Sequence, residues 1–224
     1  MTTYLSPFST AYWKKAFGEW KDTKQMVLAA LFLALRVSLK AVSIPVSENL
    51  YITLGFLPNA LGGMIYGPVV ALASGMISDI LGNLLFPTGP FFPPFMLVEM
   101  LGSFIFAIFL YKAPLRIWRF ACSKLLINIL CNIIFTPIML SWMTGRAAAV
   151  LSAPRIIKNI AVYPMEVFLL TLFINALLPL LRRLHIIDSE QKALSFSARH
   201  IITLFVLFLL GITAVLLYSF VYLS

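Results

Sequence analysis

Charge is what this chain has least of. Asp, Glu, Lys and Arg make up only 11% of its 224 residues, against about 25% in a soluble domain, so an ordinary solvated surface cannot be built. Carboxylates are the scarcer sign, 8 against 17 Lys and Arg. The cysteines are Cys122 and Cys131 and the histidines His185 and His200, with no CxxC or Cys/His cluster to hold zinc. Nine positions apart in one apolar run, the cysteines fall on opposite faces of a helix, about 13 Å apart along its axis, and are expected to be free thiols. Both histidines lie in a polar stretch beyond residue 183, which leaves no Ser/His pair inside an apolar run. A GxxxxGK[ST] phosphate loop is missing, so the chain alone cannot couple ATP hydrolysis to anything. What remains is 61% hydrophobic, with mean hydropathy +0.97. That composition belongs to an integral membrane protein.

The apolar runs are long, rich in Leu, Ile and Phe, and lack regular polar alternation, so they read as helices and not as barrel strands. With roughly 20 apolar residues needed per crossing, the expected fold is an all-α membrane bundle. Its six transmembrane helices run from about Lys24 to Ile44, Ile52 to Tyr66, Pro68 to Phe86, Met96 to Tyr111, Ile117 to Trp142 and Ile156 to Leu181. Pro45 stops the first; Gly67-Pro68 divides the second from the third, with Pro in the first turn of the next helix. "PVSENLYIT" reads as a short polar loop and "FPTGPFFPPF" as a stiff irregular one. Residues 1–23 carry Trp13, Phe17 and Trp20 among lysines and read as an interfacial lead-in. Residues 24–183 form the membrane domain, 184–200 a cytoplasmic linker, and 201–224 a seventh C-terminal span. No internal repeat is evident.

With the N-terminus in the cytoplasm, one face collects Lys14, Lys15, Lys21, Lys24, Lys112, Arg116, Arg119, Arg182, Arg183, Lys192 and Arg199. This is the positive-inside bias. Much of the net +9 is therefore topology and gives no reason to expect nucleic acid. The expected location is the cell membrane, crossed several times.

Topology does not explain Arg36, Lys40, Asp79, Glu99, Lys124, Lys158 and Glu166, which fall inside the runs. Each costs at least roughly 2.5 kcal/mol on insertion scales, so such groups face the bundle interior and often mark a ligand path. At 1.5 Å per residue Arg36 stands about 18 Å from Lys24, which puts it and Lys40 in the outer half. Arg155 and Lys158 enter from the same side. Helical phase groups Arg155, Lys158, Asn159 and Glu166 on one stripe, Gly75, Asp79, Gly82 and Asn83 on a second, and Lys124, Asn128 and Asn132 on a third. For Glu99, Glu166 and Lys124 internal pairing is at least as good an explanation as ligand binding. For Arg36 the outer cations outnumber nearby acids, so a bound anion is expected to complete the set. Ala30, Ala34 and Ala41 form a small-residue stripe roughly 120° away on the first span, a surface on which another helix can pack closely.

Three stretches carry a resemblance: residues 55 to 95, "PRIIKNIAVYPMEVFLL" from 154 to 170, and the pair Ala30 and Ala34. Together they resemble the substrate-binding S components of energy-coupling factor (ECF) vitamin transporters, and among them the folate-specific branch. The likeness runs from about Lys24 to Arg183; residues 1–23 and the run 201–223 exceed the family's six spans. The resemblance implies a subunit that is not an enzyme and needs no cofactor or metal. It would bind a vitamin near its outer surface under gating loops, then work with a transmembrane coupling protein and two ATP-binding subunits. Folate, with its flat pterin and two carboxylates, would need cations together with amide or aromatic surface. On that reading Arg36, Lys40, Arg155 and Lys158 face the carboxylates, with Asn159 beside them. Asp79 or Asn83 bonds the pterin, and Tyr51, Phe91 and Phe92 cover the ring, while Ala30 and Ala34 dock the coupling protein. Riboflavin or another vitamin, a freestanding anion transporter, and an intramembrane hydrolase using Asp79 and Glu99 stay open, though no spacing supports the last.

Overall fold

The computed structural model describes residues 4–42, 44–47, 50–87 and 90–187, with the separate positions 205, 206, 209 and 213. Apart from those four positions the expected seventh span, with most of the 184–200 linker, lies outside the described residues. The helices are α1 (Thr10–Glu19), α2 (Thr23–Lys40), α3 (Phe56–Leu85), α4 (Phe95–Leu110), α5 (Ile117–Ile127), α6 (Thr136–Thr144) and α7 (Ala148–Arg183). Phe56–Leu85, Ile117–Thr144 and Ser152–Arg183 are long and apolar enough to cross a membrane, and Phe95–Leu110 is a shorter apolar helix.

Among the described residues one element departs from the expected all-helical chain. α2 ends at Lys40, short of Ile44, and the supposed loop forms a hairpin of β1 (Ile44–Ser47) and β2 (Leu50–Ile52), paired Ile44 to Ile52 with an irregularity between Pro45 and Ser47. Pro45 biases the residue before it towards extended backbone, and Val46, Tyr51 and Ile52 are strand formers. These local preferences outweigh the polar centre of the segment.

α3 is continuous in sequence, but its backbone leaves the helical region at Gly67 (φ 76°, ψ −179°). Contacts with α4 show what the break does. Gly63 lies against Ala107, Gly67 against the Tyr111 ring, and Gly75 against Glu99, Met100 and Ser103. The chain therefore descends α4 as far as Tyr111 and climbs back, so Phe56–Tyr66 and Pro68–Leu85 are two arms of a helical hairpin. This is the division expected at Gly67-Pro68. Asn59 on one arm and Asp79 on the other end up at similar depth.

α5 continues through a π-helical segment, Asn128–Phe135, into α6. Pro137 has no N–H for the Ile133 carbonyl, and its ring would crowd that carbonyl in an α-helical turn. A wider turn relieves the clash; Thr136 Oγ1 bonds the Cys131 carbonyl at 2.7 Å and Ser152 Oγ approaches the Ile133 carbonyl at 3.5 Å. α7 begins at Ala148, two turns ahead of the expected Ile156, and passes through Pro154. Proline is tolerated within membrane helices, and two residues before Pro154 the Ser152 Oγ bonds back to the Ala148 carbonyl at 2.8 Å.

The N-terminal segment is helical. Ser9 caps α1 through the Tyr12 amide, and Tyr12, Ala16 and Glu19, spaced i, i+4, i+7, turn inward. Tyr111 donates to Glu19 Oε1 at 2.8 Å, Tyr12 meets the Tyr111 ring edge-on at 5.3 Å, and Trp13 stacks on Phe104. Burial pushes the Tyr12 phenol above the usual tyrosine range, so it stays a neutral donor, its hydroxyl 3.4 Å from the Ala107 carbonyl. α1 straps the Gly67 end of the bundle, which is also where Lys14, Lys112, Arg116 and Arg182 gather.

Candidate functional site

At the other end a cavity of about 210 Å³ opens between α2, both arms of α3, α4, the α5–π segment and α7. Its lining holds four cations, Arg36, Lys40, Lys124 and Lys158, and three carboxylates, Asp79, Glu99 and Glu166. The formal excess is one positive charge. Val37, Phe56, Val98, Phe106 and Ile127 supply apolar wall. Thr53 and Gly55, in the link from β2 to α3, complete the rim.

Two charge networks divide this lining. In the first, the Arg36 guanidinium pairs with Glu99 and donates to Asn59 Oδ1 at 3.0 Å and Ser103 Oγ at 2.9 Å. Asp79 lies in the field of Glu99, Lys40 and Arg36, and Lys40 rests on Gly82, where a methyl would lie 3.1 Å from its Nζ. In the second, Lys124 pairs with Glu166 at 3.1 Å and stands 4.4 Å from the centre of the Phe56 ring. Asn128 donates to Glu166 at 3.0 Å, Asn132 to Asn128 at 3.0 Å and to Asn159 at 3.1 Å, and Asn159 to the Arg155 carbonyl at 2.7 Å. Lys158 is buried to 8% exposure and makes no salt bridge within 4.0 Å among the described residues. It shares Glu166 electrostatically with Lys124.

Of the expected site residues, Arg36, Lys40, Asp79 and Lys158 line this one cavity, and Asn159 is joined to it through Asn132. Arg155 is buried nearby but outside the lining. Asn83 is half-buried and Phe91 is 51% exposed, both outside the lining. Phe92 packs edge-on against Phe95 at 5.8 Å. Tyr51 belongs to β2, and its side chain lies outside the described set. Cations outnumber carboxylates in the lining by one, but the Arg36 guanidinium itself already has Glu99 as a counter-ion.

Phe56, Asn59, Phe106 and Cys131 are wall residues that the sequence pattern did not single out. Asn59, a lone amide in an apolar run, was the one detectable signal among them. Ala30 and Ala34 sit on an exposed face of α2 with Val27, Leu31 and Leu35, away from the cavity. Both cysteines are free thiols, Cys131 buried and Cys122 exposed.

The arrangement suits a small anion with a polar, partly flat body: fixed ammonium and guanidinium groups, accepting carboxylates and aromatic wall within one enclosure. Comparison with known proteins finds several relatives. The family model described as "ECF-type riboflavin transporter, S component" matches residues 21–179. A protein named folate transporter FolT from Clostridium novyi is 30% identical over 146 residues, 65% of this chain and 85% of that protein. One of the same name from Leuconostoc mesenteroides is 27% identical over 152 residues, 65% of this chain and 82% of its own length. A solved structure described as FolT bound with folic acid superposes with a TM-score of 0.62 at 34% identity, over 66% of this chain and 91% of that one.

Proposed function

The chain belongs to the S components of ECF-type transporters, and from that premise we propose that it is the folate-binding subunit of such a transporter. The family is one of transport subunits, not enzymes. The observation that carries the folate reading is the likeness to FolT with folic acid, joined to a cavity with excess positive charge that both α3 arms line. Arg36, Lys40 and Lys158, with Arg155 and Asn159 behind them, would hold the carboxylates. Asp79 or Asn83 would accept pterin N–H groups. Tyr51, Phe91 and Phe92 would cover the ring from the hairpin and the Pro-rich loop, which lie at the cavity's end of the molecule.

In this reading α2, the two arms of α3, α4, the Ile117–Thr144 rod and α7 are six spans, with residues 201–224 as a seventh. The Gly67 end, where the basic residues gather, faces the cytoplasm together with the N-terminus. Folate enters from outside, and a transmembrane coupling protein with two ATP-binding subunits completes the transporter, docking on Ala30 and Ala34. A titration of the purified protein with folate is expected to give a dissociation constant on the order of nanomolar, weakened by about 1.5–3 kcal/mol in Arg36→Ala. No folate binding, or unchanged affinity in that variant, counts against the reading. Riboflavin is a second reading, favoured by the description of the matching family model; including it in the titration separates the two.

Docking makes a different prediction. Ala30→Trp places a large ring on an exposed small-residue face and should leave folate affinity of the isolated subunit within about twofold while abolishing ATP-driven uptake. Uptake at the wild-type rate would show that this face does not meet the coupling protein.

A further inference from the structure

The Arg36–Glu99 pair is lopsided. The Arg36 side chain is 10% exposed and the Glu99 side chain 46%. Arg36 is held independently of Glu99, through Asn59 on the first arm of α3 and Ser103 on α4. The Ser103 hydroxyl spends its own proton on the Glu99 backbone carbonyl at 2.9 Å, so its oxygen is left to accept from the guanidinium. Glu99, by contrast, has Arg36 as its one side-chain hydrogen-bond partner among the described residues, and it shares the cavity with a second carboxylate, Asp79. The cation is fixed and buried; the anion is half-open and singly tethered.

We infer that Glu99 is an exchangeable counter-ion, holding Arg36 in the empty protein and giving way to a carboxylate of the incoming ligand. This rests on the folate reading above and adds to it a selectivity device. An unpaired guanidinium at this depth would be costly in the empty state. Swapping one carboxylate for another keeps the guanidinium paired throughout, so an anionic ligand enters without desolvating it anew. A neutral ligand cannot complete the swap, and the resident pair stays closed against it. Glu99, already half-exposed, then gives up the guanidinium to the ligand.

The test is titration of wild type, Glu99→Gln and Glu99→Ala with folate, with 4-aminobenzoylglutamate as the anionic tail alone, and with unsubstituted pterin as a neutral ring. Removing the competing charge should tighten folate and the tail fragment by roughly 5- to 20-fold, because the ligand no longer displaces a bound anion. Pterin should change less than about twofold on the same grounds. The two variants differ in size and polarity, so a folding defect in one leaves the other to read. Folate binding that weakens or stays constant in both variants overturns the exchange and makes Glu99 a ligand contact or a bystander, with the folate reading intact. Failure of wild type to bind folate while it binds neutral riboflavin overturns both.

Discussion

Glu166→Leu should lower the stability of the protein in detergent or nanodiscs by about 3–5 kcal/mol, the usual cost of removing one partner of a buried ion pair. The size follows from what the substitution strands. Lys124 and Lys158 are 4% and 8% exposed, and Glu166 is the carboxylate both depend on, at 3.1 Å from Lys124 and in electrostatic reach of Lys158. Without it two ammonium groups remain buried with no carboxylate beside them, and Asn128 loses the acceptor of its amide. Lys124→Met is the informative contrast. There Glu166 keeps Lys158 as its partner, so the loss should be nearer about 1–3 kcal/mol, mostly an unmet hydrogen bond. The double variant should recover part of the Glu166→Leu loss, and the coupling term of the double-mutant cycle measures the pair itself. Thermal or chemical unfolding midpoints read all three. A Glu166→Leu protein within about 1 kcal/mol of wild type would mean that water reaches these lysines and that the cavity floor is not dry.

That network also marks how far the sequence could be read. Lys124, Asn128 and Asn132 share a stripe at i, i+4 spacing, and Arg155, Lys158, Asn159 and Glu166 share another, so helical phase turned each set inward; that the two meet is seen in the fold. Their hydrogen bonds survive even though Asn128 and Asn132 fall in a π-helical segment. The π turn itself was not legible: α and π segments draw on the same residue types, and only the position of Pro137 hinted at it. α4 was readable nearly to the residue because an apolar run between two proline-rich or charged stretches leaves little freedom at its ends. The hairpin was missed because "SEN" at its centre breaks the alternation by which strands are recognised. The Arg36–Glu99 pair could not be inferred either. Sixty-three positions separate its partners, and depth estimates along single helices do not say which side chains meet across a bundle. Depth and phase picked out Arg36, Lys40, Asp79 and Lys158, which line the cavity, but also Arg155 and Asn83, which do not; pairing within it is a tertiary fact.

Gly67→Val should cost about 4 kcal/mol, the sum of two effects, and, unlike most glycine substitutions, should resist rescue by making room. At φ 76° and ψ −179° the backbone occupies a region that is essentially reserved for glycine, at about 1–3 kcal/mol for another residue. A side-chain carbon would also lie 3.1 Å from the Tyr111 ring, a contact that overpacking data place at about 1–3 kcal/mol. Tyr111 is 0% exposed, bonded to Glu19 and packed on Tyr12, so the ring has nowhere to go. Tyr111→Leu in the Gly67→Ala background separates the effects: it removes the contact but leaves the backbone strain, and should restore only part of the lost midpoint. Gly145→Ala is the control. Its φ is also positive, at 71°, but nothing lies within 4 Å of the added carbon, so its cost should be about 1–2 kcal/mol. The reversal at Gly67 is also what brings Asn59 and Asp79 to one cavity from opposite arms. Strain there should therefore reduce folate affinity in whatever Gly67→Ala protein remains folded, although position 67 lies at the far end of the bundle from the ligand. Folate affinity equal to wild type in folded Gly67→Ala, together with a loss under about 1 kcal/mol in Gly67→Val, would mean that the two arms are placed by their packing on α4 and that the turn merely connects them.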